Sequence, residues 1–276
     1  MKNILICSII RNQAENLDLW HGQLTELVNK LDGYNVYLSV FENDSEDGTQ
    51  ELLYSYDYSI FLEKIIKCQV LGLRQYGSTH EEERLKNLAF YRQSCIDNFR
   101  NKFPDIKLDK VAFIESDIEY NSDWCKELIL ARHFQAFGWE PDIYSGWSLR
   151  NLKNPKESMF LYDTAATRRT DSENCYNFND EHKFLGESVI RTGFSHVDSN
   201  CVHKFWSTFN CFCVYNALPF YEDVKWSCIN KRFDNGQKRL NNGWLEVDTV
   251  AICEDFREKG YDRIFVNRNC LVRHLT

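Results

Sequence analysis

Lys110-Val111-Ala112-Phe113-Ile114-Glu115-Ser116-Asp117-Ile118-Glu119-Tyr120-Asn121-Ser122-Asp123-Trp124 is the stretch on which the reading of this chain turns. Val111 to Ile114 form a short apolar run, the pattern of a strand buried on both faces of a sheet. Acid follows in Glu115, Asp117, Glu119 and Asp123. Carboxylates just past a buried strand sit at its carboxyl end, where open α/β sheets bind ligands. Side chains at i and i+2 point the same way while a strand stays extended, so Glu115, Asp117 and Glu119 can converge. Three carboxylates without a basic neighbour repel one another unless a divalent cation lies between them. Hard oxygen donors suit Mg²⁺ or Mn²⁺. A strand end followed by a solvated acidic turn fits the same residues equally well.

The chain around this stretch has 276 residues, enough for one large α/β domain or two small ones. Its net charge of −8, with no block of Lys and Arg, argues against nucleic acid, whose phosphates would repel it. Eleven cysteines cannot all pair internally, and no Cys-x-x-Cys occurs. That pattern argues against zinc and for free thiols in a reducing compartment, so a cytoplasmic protein is expected. The apolar N-terminus ends at Arg11 and Asn12, too early for a transmembrane helix. It reads as a first strand, and no transmembrane segment is expected.

Strands alternate with helices through residue 137. Asn3 to Ile10 reads as a strand. Leu17, Trp20, Leu24, Leu27 and Leu31 then line one helical face, which Asp32-Gly33 stops. Asn35 to Phe41 reads as the second strand. It leads through the polar turn Glu42 to Thr49, with Ser45 or Asp47 as a cap, into a helix from Gln50. Gln69 to Leu73 reads as a third strand. A helix is expected from about Thr79 to Phe99, with Leu85, Leu88, Cys95, Ile96 and Phe99 inward. Arg84 and Arg92 on it read, by themselves, as surface residues paired with Glu81, Glu82 or Glu83. Trp124 to Phe137 reads as one helix and Ile143 to Leu149 as a strand. Residues 153–200 give no clear pattern. Phe205 to Tyr215 is strand-like, Trp244 to Thr249 opens a helix ending near Lys259, and Arg263 to Val266 and Cys270 to His274 close the chain as short strands. The division expected is a nucleotide-binding half, 1–137, and an acceptor-binding half, 138–276, of one continuous domain.

Taken in order, these elements and their junctions resemble GT-A-type glycosyltransferases. Arg11-Asn12-Gln13-Ala14-Glu15-Asn16-Leu17 is similar to a first-loop Arg-Asn-Glu-Ala-x-x-Leu motif. Glu42 to Thr49 is similar to the Asp-Asp-Gly-Ser-x-Asp-Gly-Thr turn. Ala89-Phe90-Tyr91-Arg92-Gln93 resembles Ala-x-x-Arg-Asn, and Glu115-Ser116-Asp117 stands in the DXD place. Cys253 to Tyr261 resembles a helix ending in Lys-x-Gly-Tyr, and Val272-Arg273-His274 a closing Val-x-His. Within that group the nearest look is to the fungal capsule-associated α-1,3-mannosyltransferase-like family. It rests on Tyr162-Asp163-Thr164 with Arg168, Phe209-Asn210-Cys211, and Ala217-Leu218-Pro219-Phe220. Cys211 replaces a Gly of that pattern, and Asp248 stands where a Glu is usual.

The resemblance implies a Rossmann-like mixed sheet flanked by helices. It also implies a metal-dependent transfer of sugar from a UDP- or GDP-sugar to a hydroxyl of an oligosaccharide or other glycan acceptor. Asp117, with His274 as a further ligand, would hold Mn²⁺ or Mg²⁺, which neutralises the leaving diphosphate, and Glu115 would bind the metal or the ribose. Arg11, Asn12, Glu15, Glu42, Asn43, Arg84, Arg92, Ser116 and Asn210 would bind the nucleotide sugar, with Arg84 and Arg92 on the phosphates. If transfer inverts the anomeric centre, a carboxylate must take the acceptor proton, with Asp248 first and Glu246 second. Asp248 reads equally as a helix cap, and a retaining reaction would not need that base. A sugar nucleotidyltransferase is the alternative enzyme, although Ser8 to Asn12 carries no glycine for a phosphate loop. A non-catalytic carbohydrate-binding protein is the third reading.

Overall fold

The structure, a computed structural model, describes residues 1–76, 81–150, 160–161, 167–168, 202–232 and 238–275. Tyr162-Asp163-Thr164 lies outside the described residues. One mixed sheet runs through the molecule in the order β3-β2-β1-β4-β9-β6-β13-β5. Its strands are β1 (Lys2–Ile10), β2 (Tyr34–Asn43), β3 (Glu63–Gln69), β4 (Lys110–Ile114), β5 (Ile118–Tyr120), β6 (Ile143–Arg150), β9 (Phe212–Asn216) and β13 (Ile264–His274). Two short strands, β7 (Phe160–Leu161) and β8 (Val202–Lys204), pair with β6 and β13. A separate antiparallel ribbon joins β10 (Ile229–Asn230), β11 (Arg239–Leu240) and β12 (Gly243–Leu245).

β1, β2, β3 and β4 run parallel, and β9 returns antiparallel beside β4. Parallel strands need helical crossovers on their faces, so the central strands β1 and β4 are covered on both faces and apolar at Ile4–Cys7 and Val111–Ile114, whereas the edge strand β3 carries Glu63, Lys64 and Lys67. Alternate residues of β1 feed two cores. Ile4, Ile6 and Ile10 pack with Leu17, Trp20, Leu24 and Leu27 of α1 (Leu17–Val28). Leu5 and Cys7 pack with Cys95, Ile96 and Phe99 of α3 (Glu82–Lys102) on the other side. The first face also takes α2 (Thr49–Ser55), α4 (Ser122–Leu130) and α5 (Arg132–Gln135). The second takes α6 (Leu218–Tyr221) and α7 (Asp248–Glu258), through Phe220, Ile252 and Phe256. The β4–β9–β6 pairings cross residue 137, so the two expected halves share one sheet. Among the described residues no helix is long and apolar enough to cross a membrane.

Several expected boundaries move. The third strand is Glu63–Gln69, an edge strand whose charged residues hide its pattern, and Val70 to Leu73 leave the sheet. The expected helix over 124–137 is two, because Ala131 is left-handed at φ 51. Trp244 belongs to β12 and α7 starts at Asp248. The two closing strands are one, β13, with its register broken between Val266 and Leu271.

Phe205 to Tyr215 is not one strand either. Asn210 and Cys211 are both left-handed, at φ 51 and φ 60, and turn the chain into β9. Asn tolerates that region and Cys does not, so the turn is held by contacts. Asn210 is fully buried and supplies them. Its Oδ1 accepts from Ser148 and Thr167, each at 3.2 Å, and its Nδ2 donates to Thr208 at 2.8 Å and Ser145 at 3.3 Å. The sugar-binding role expected of Asn210 is therefore replaced by a structural one.

Asn210→Ala strands the buried hydroxyls of Ser148 and Thr167, takes a donor from Thr208 and Ser145, and leaves an alanine on left-handed backbone. The expected loss is about 2–3 kcal/mol, seen as a melting temperature lower by roughly 5–10 °C. An unchanged melting temperature would show that those hydroxyls find other partners.

Candidate active site

β1, β2 and β4 end at the same edge of the sheet, and the chain turns polar there. A cleft of ≈ 530 Å³ opens at that edge, of a size suited to a small-molecule ligand. Arg11 lines it from the loop after β1, Asn43 from the end of β2, and Glu115, Ser116 and Asp117 from the end of β4. Arg84 and Tyr91 reach it from α3, and His274 closes it from the end of β13. Arg11, Arg84 and the exposed Arg74 thus share one cleft with an acidic pair.

Two loops build the wall on the β1–β2 side by bonding to each other. The Asn12 amide donates to Ser45 Oγ at 2.8 Å, and the Glu46 amide donates to Asn12 Oδ1 at 2.9 Å. Gln13 and Ala14 donate their amides to Thr49 Oγ1 and Asp47 Oδ2. Gly48 stands before α2 at φ 87, where a Cβ would strain the turn. Asp47 accepts from the Thr49 amide and hydroxyl, completing the turn. Asn12 is spent in this stitching, Glu15 is exposed outside the cleft, and Glu42 is fully buried with Oε1 on the Ser45 amide. Of Asn12, Glu15, Glu42 and Asn43, Asn43 alone lines the cleft, and it donates to the Tyr91 hydroxyl at 3.2 Å.

Asp44 holds the next wall. Its carboxylate accepts the amides of Leu71 at 2.7 Å, Gly72 at 2.8 Å and Leu73 at 3.3 Å. This curls the segment after β3 over the cleft and presents Arg74, Gln75 and Tyr76 to it. Arg11 Nη2 donates to the Leu73 carbonyl at 3.1 Å and ties that segment to the first loop. Burial raises the Asp44 carboxyl, but the amides of Gly72, Asn43, Leu71 and Leu73 outweigh it and hold it below its ordinary value.

On the floor, Asp117 Oδ2 and His274 Nε2 are 2.9 Å apart. The expected convergence of Glu115, Asp117 and Glu119 does not occur. The chain breaks strand geometry at Ser116–Asp117, and β5 then pairs antiparallel with β13. Glu119 faces solvent and meets Arg273 at 3.2 Å. Glu115 Oε1 turns to Arg92 at 3.3 Å. Burial, then the Asp117 charge, raise the Glu115 carboxyl above its ordinary value against the pull of Arg92. Among the described residues no three His, Cys, Asp or Glu side chains converge as a metal group. A carboxylate beside an imidazole still fits a Mg²⁺ or Mn²⁺ that takes its other donors from phosphate and water.

Three expected residues lie behind the floor instead of on it. Arg92 is on the buried face of α3, 4% exposed, and pairs with Asp248, itself 1% exposed. It does not line the cleft, so a phosphate contact is not its place. Asp248 opens α7 as its first helical residue, after Val247 at the cap position. Glu246 is fully buried, with its oxygens 2.8 and 2.9 Å from Arg168 Nη2, and accepts the Val247 amide at 2.9 Å. Neither carboxylate faces the described cleft, and each is committed to a guanidinium.

The sequence profile of the family described as Cryptococcal mannosyltransferase 1 matches residues 3–255, nearly the whole chain. The chain belongs to that family. It is the family that the order of its motifs resembled. No curated protein matches the sequence. Among solved structures, S. aureus TarS residues 1–349 superposes with a TM-score of 0.46 at 16% identity, covering 99% of this chain and 60% of that one. The same TarS fragment in complex with UDP-GlcNAc gives 0.47 at 14%, covering 99% and 58%. This family member therefore spans about three fifths of the TarS fragment's length, and likeness this loose carries no residue roles across.

The cleft also uses residues that the sequence did not single out: Gln13, Arg74, Gln75, Tyr76, Asn87 and Tyr91. Asp44 was the available signal. An acid inside an Asn-Asp-Ser turn is suited to gathering amides, but which amides it gathers depends on β3 lying beside β2.

Asp44→Asn should loosen the Arg74–Tyr76 wall, lowering stability by about 1–2 kcal/mol near neutral pH. The Asp44 carboxyl lies below its ordinary value when folded, so its contribution is full above about pH 4 and fades as pH falls through the folded value. Urea midpoints of wild type and variant should therefore differ at pH 6 and draw together below pH 4. A constant difference down to pH 3 would assign the effect to something other than the Asp44 charge.

Proposed function

We propose that this chain transfers a sugar from a nucleoside diphosphate donor, a UDP- or GDP-sugar, to a hydroxyl of a glycan acceptor, with Mn²⁺ or Mg²⁺ as cofactor. One observation carries the reading. A single cleft at the carboxyl edge of β1, β2 and β4 sets Arg11, Arg74 and Arg84 around an Asp117–His274 pair. Guanidinium forks match phosphate oxygens in pairs, and the acidic floor matches the cation that accompanies a diphosphate. The family's description makes mannose the first sugar to test.

Asp117 and His274 would hold the cation, which supplies Lewis-acid neutralisation of the departing diphosphate. The chain's own groups do the rest. Arg84 from α3 and Arg11 from the first loop bring fixed positive charge, which stabilises negative charge best where water is excluded. Asn43 and Tyr91, bonded to each other at 3.2 Å, offer donors and acceptors to the nucleoside side. Tyr76 and Arg74 stand stacked at 5.2 Å on the wall that Asp44 holds, where they would cover a bound donor. Covering the donor keeps water from competing with the acceptor hydroxyl.

With two protein donors, the cation should bind weakly to the chain alone and strongly with a nucleoside diphosphate present. Calorimetry with Mn²⁺ alone, UDP or GDP alone, and both together should show this synergy. Asp117→Asn should remove it, at a loss of about tenfold or more in nucleotide affinity, with melting unchanged. Equal nucleotide affinity with and without Mn²⁺ in the wild type would defeat the metal assignment.

A further inference from the structure

Behind the cleft floor, three charged side chains stand in line: Asp248, Arg92 and Glu115. Arg92 Nη1 donates to Asp248 Oδ2, and Arg92 Nη2 donates to Glu115 Oε1 at 3.3 Å. Only Glu115 reaches the cleft. The guanidinium also lies over the Phe209 ring at 4.6 Å and the Trp226 ring at 5.3 Å. Two cation–π contacts add to the two ion pairs in restricting where its fork points.

A buried ion pair adds little net stability over apolar side chains of the same size. Stability alone therefore gives no reason for a charged triad among Phe209, Trp226 and Tyr215. Direction does. Asp248 is fixed at the start of α7 and takes one terminal nitrogen of Arg92, which leaves the other aimed at Glu115. Asp117 stands two residues further on and repels the Glu115 carboxylate. The Glu115 amide is pinned to the Cys211 carbonyl at 3.0 Å, so only its side chain remains to be placed. The Glu115 carboxylate also takes a hydrogen bond from the Cys211 side chain. With about four lone-pair sites it can still accept another donor, and the natural partner in a donor cleft is a sugar or ribose hydroxyl.

We propose that Asp248 and Arg92 are positioning residues, which hold Glu115 in the orientation that receives a hydroxyl of the nucleotide sugar. This rests on the cleft being the donor site. It gives Asp248 a task that does not require it to touch the acceptor.

A double-mutant cycle read by calorimetry tests it, with GDP-mannose, UDP-glucose and UDP-GlcNAc as probes in the presence of Mn²⁺. Glu115→Gln should weaken the bound nucleotide sugar by about tenfold, the effect of one charge-assisted hydrogen bond. Asp248→Asn should weaken it by a similar factor in the wild-type background and by less than about twofold when Glu115→Gln is already present. Arg92→Lys keeps the charge and loses the fork, so it should behave like Asp248→Asn and serves if that variant fails to fold. A structural effect would instead appear equally in both backgrounds. Equal loss with and without the Glu115 carboxylate, or no loss at all, overturns the proposal while leaving the donor site standing. Absence of binding of any probe to the wild type takes down the donor-site reading and this proposal with it.

Discussion

Burial of β1 and β4 on both faces is the constraint from which the rest of this protein follows. A strand covered by α1 on one side and α3 on the other can carry almost no polar side chain along its length. Chemistry is then confined to the strand ends, and parallel pairing puts the ends of β1, β2 and β4 at one edge. Ser8 shows what a polar side chain there needs: its hydroxyl is buried, and it donates to the Ile114 carbonyl at 2.6 Å while accepting from Trp20. Ligand groups gather beyond Ile10, Asn43 and Ile114 because that is where water first reaches the sheet.

At that edge the charges are arranged in two depths. Arg11, Arg74 and Arg84 stand in the cleft with Asp117 and His274, where a ligand can take part in the balance. One step deeper, Arg92 and Arg168 are matched by Asp248 and Glu246. Removing one partner from such a buried pair leaves an uncompensated charge in a low dielectric, which is strongly destabilising. The deep pairs therefore fix geometry and the outer charges remain responsive. Glu115 bridges the two depths, touching Arg92 behind and the cleft in front.

The antiparallel half contributes by return strands. β9 runs back beside β4, and its left-handed entry at Asn210 and Cys211 delivers the Cys211 carbonyl to the Glu115 amide. β13 runs parallel to β6 and carries His274 to the same edge as Asp117. Residues more than 150 positions apart thus meet because both lie at the carboxyl ends of strands in one sheet. That is also why a division of this chain at residue 137 describes the order of the chain better than the build of the site.

The sequence by itself determined the apolar strand at Val111–Ile114, the helical face of Leu17 to Leu27, the order of elements and the family. Each follows from short-range periodicity or from motif order, which need no knowledge of what lies across the sheet. It also located Arg11, Asn43, Arg84, Glu115, Ser116, Asp117 and His274, all of which line the cleft. Tertiary structure decided the roles of the rest. Arg92, Asn210, Glu246 and Asp248 carry the same residue types whether they face a ligand or a buried partner, and only packing chooses between them. Arg92 is turned inward because the face of α3 bearing Cys95 and Phe99 is the one laid on the sheet. Val70 to Leu73 leave the expected strand and lead into the cleft wall at Arg74 to Tyr76 because Asp44, from β2's turn, gathers the Leu71, Gly72 and Leu73 amides. Such choices are made by contacts between residues distant in the chain, and no local pattern encodes them.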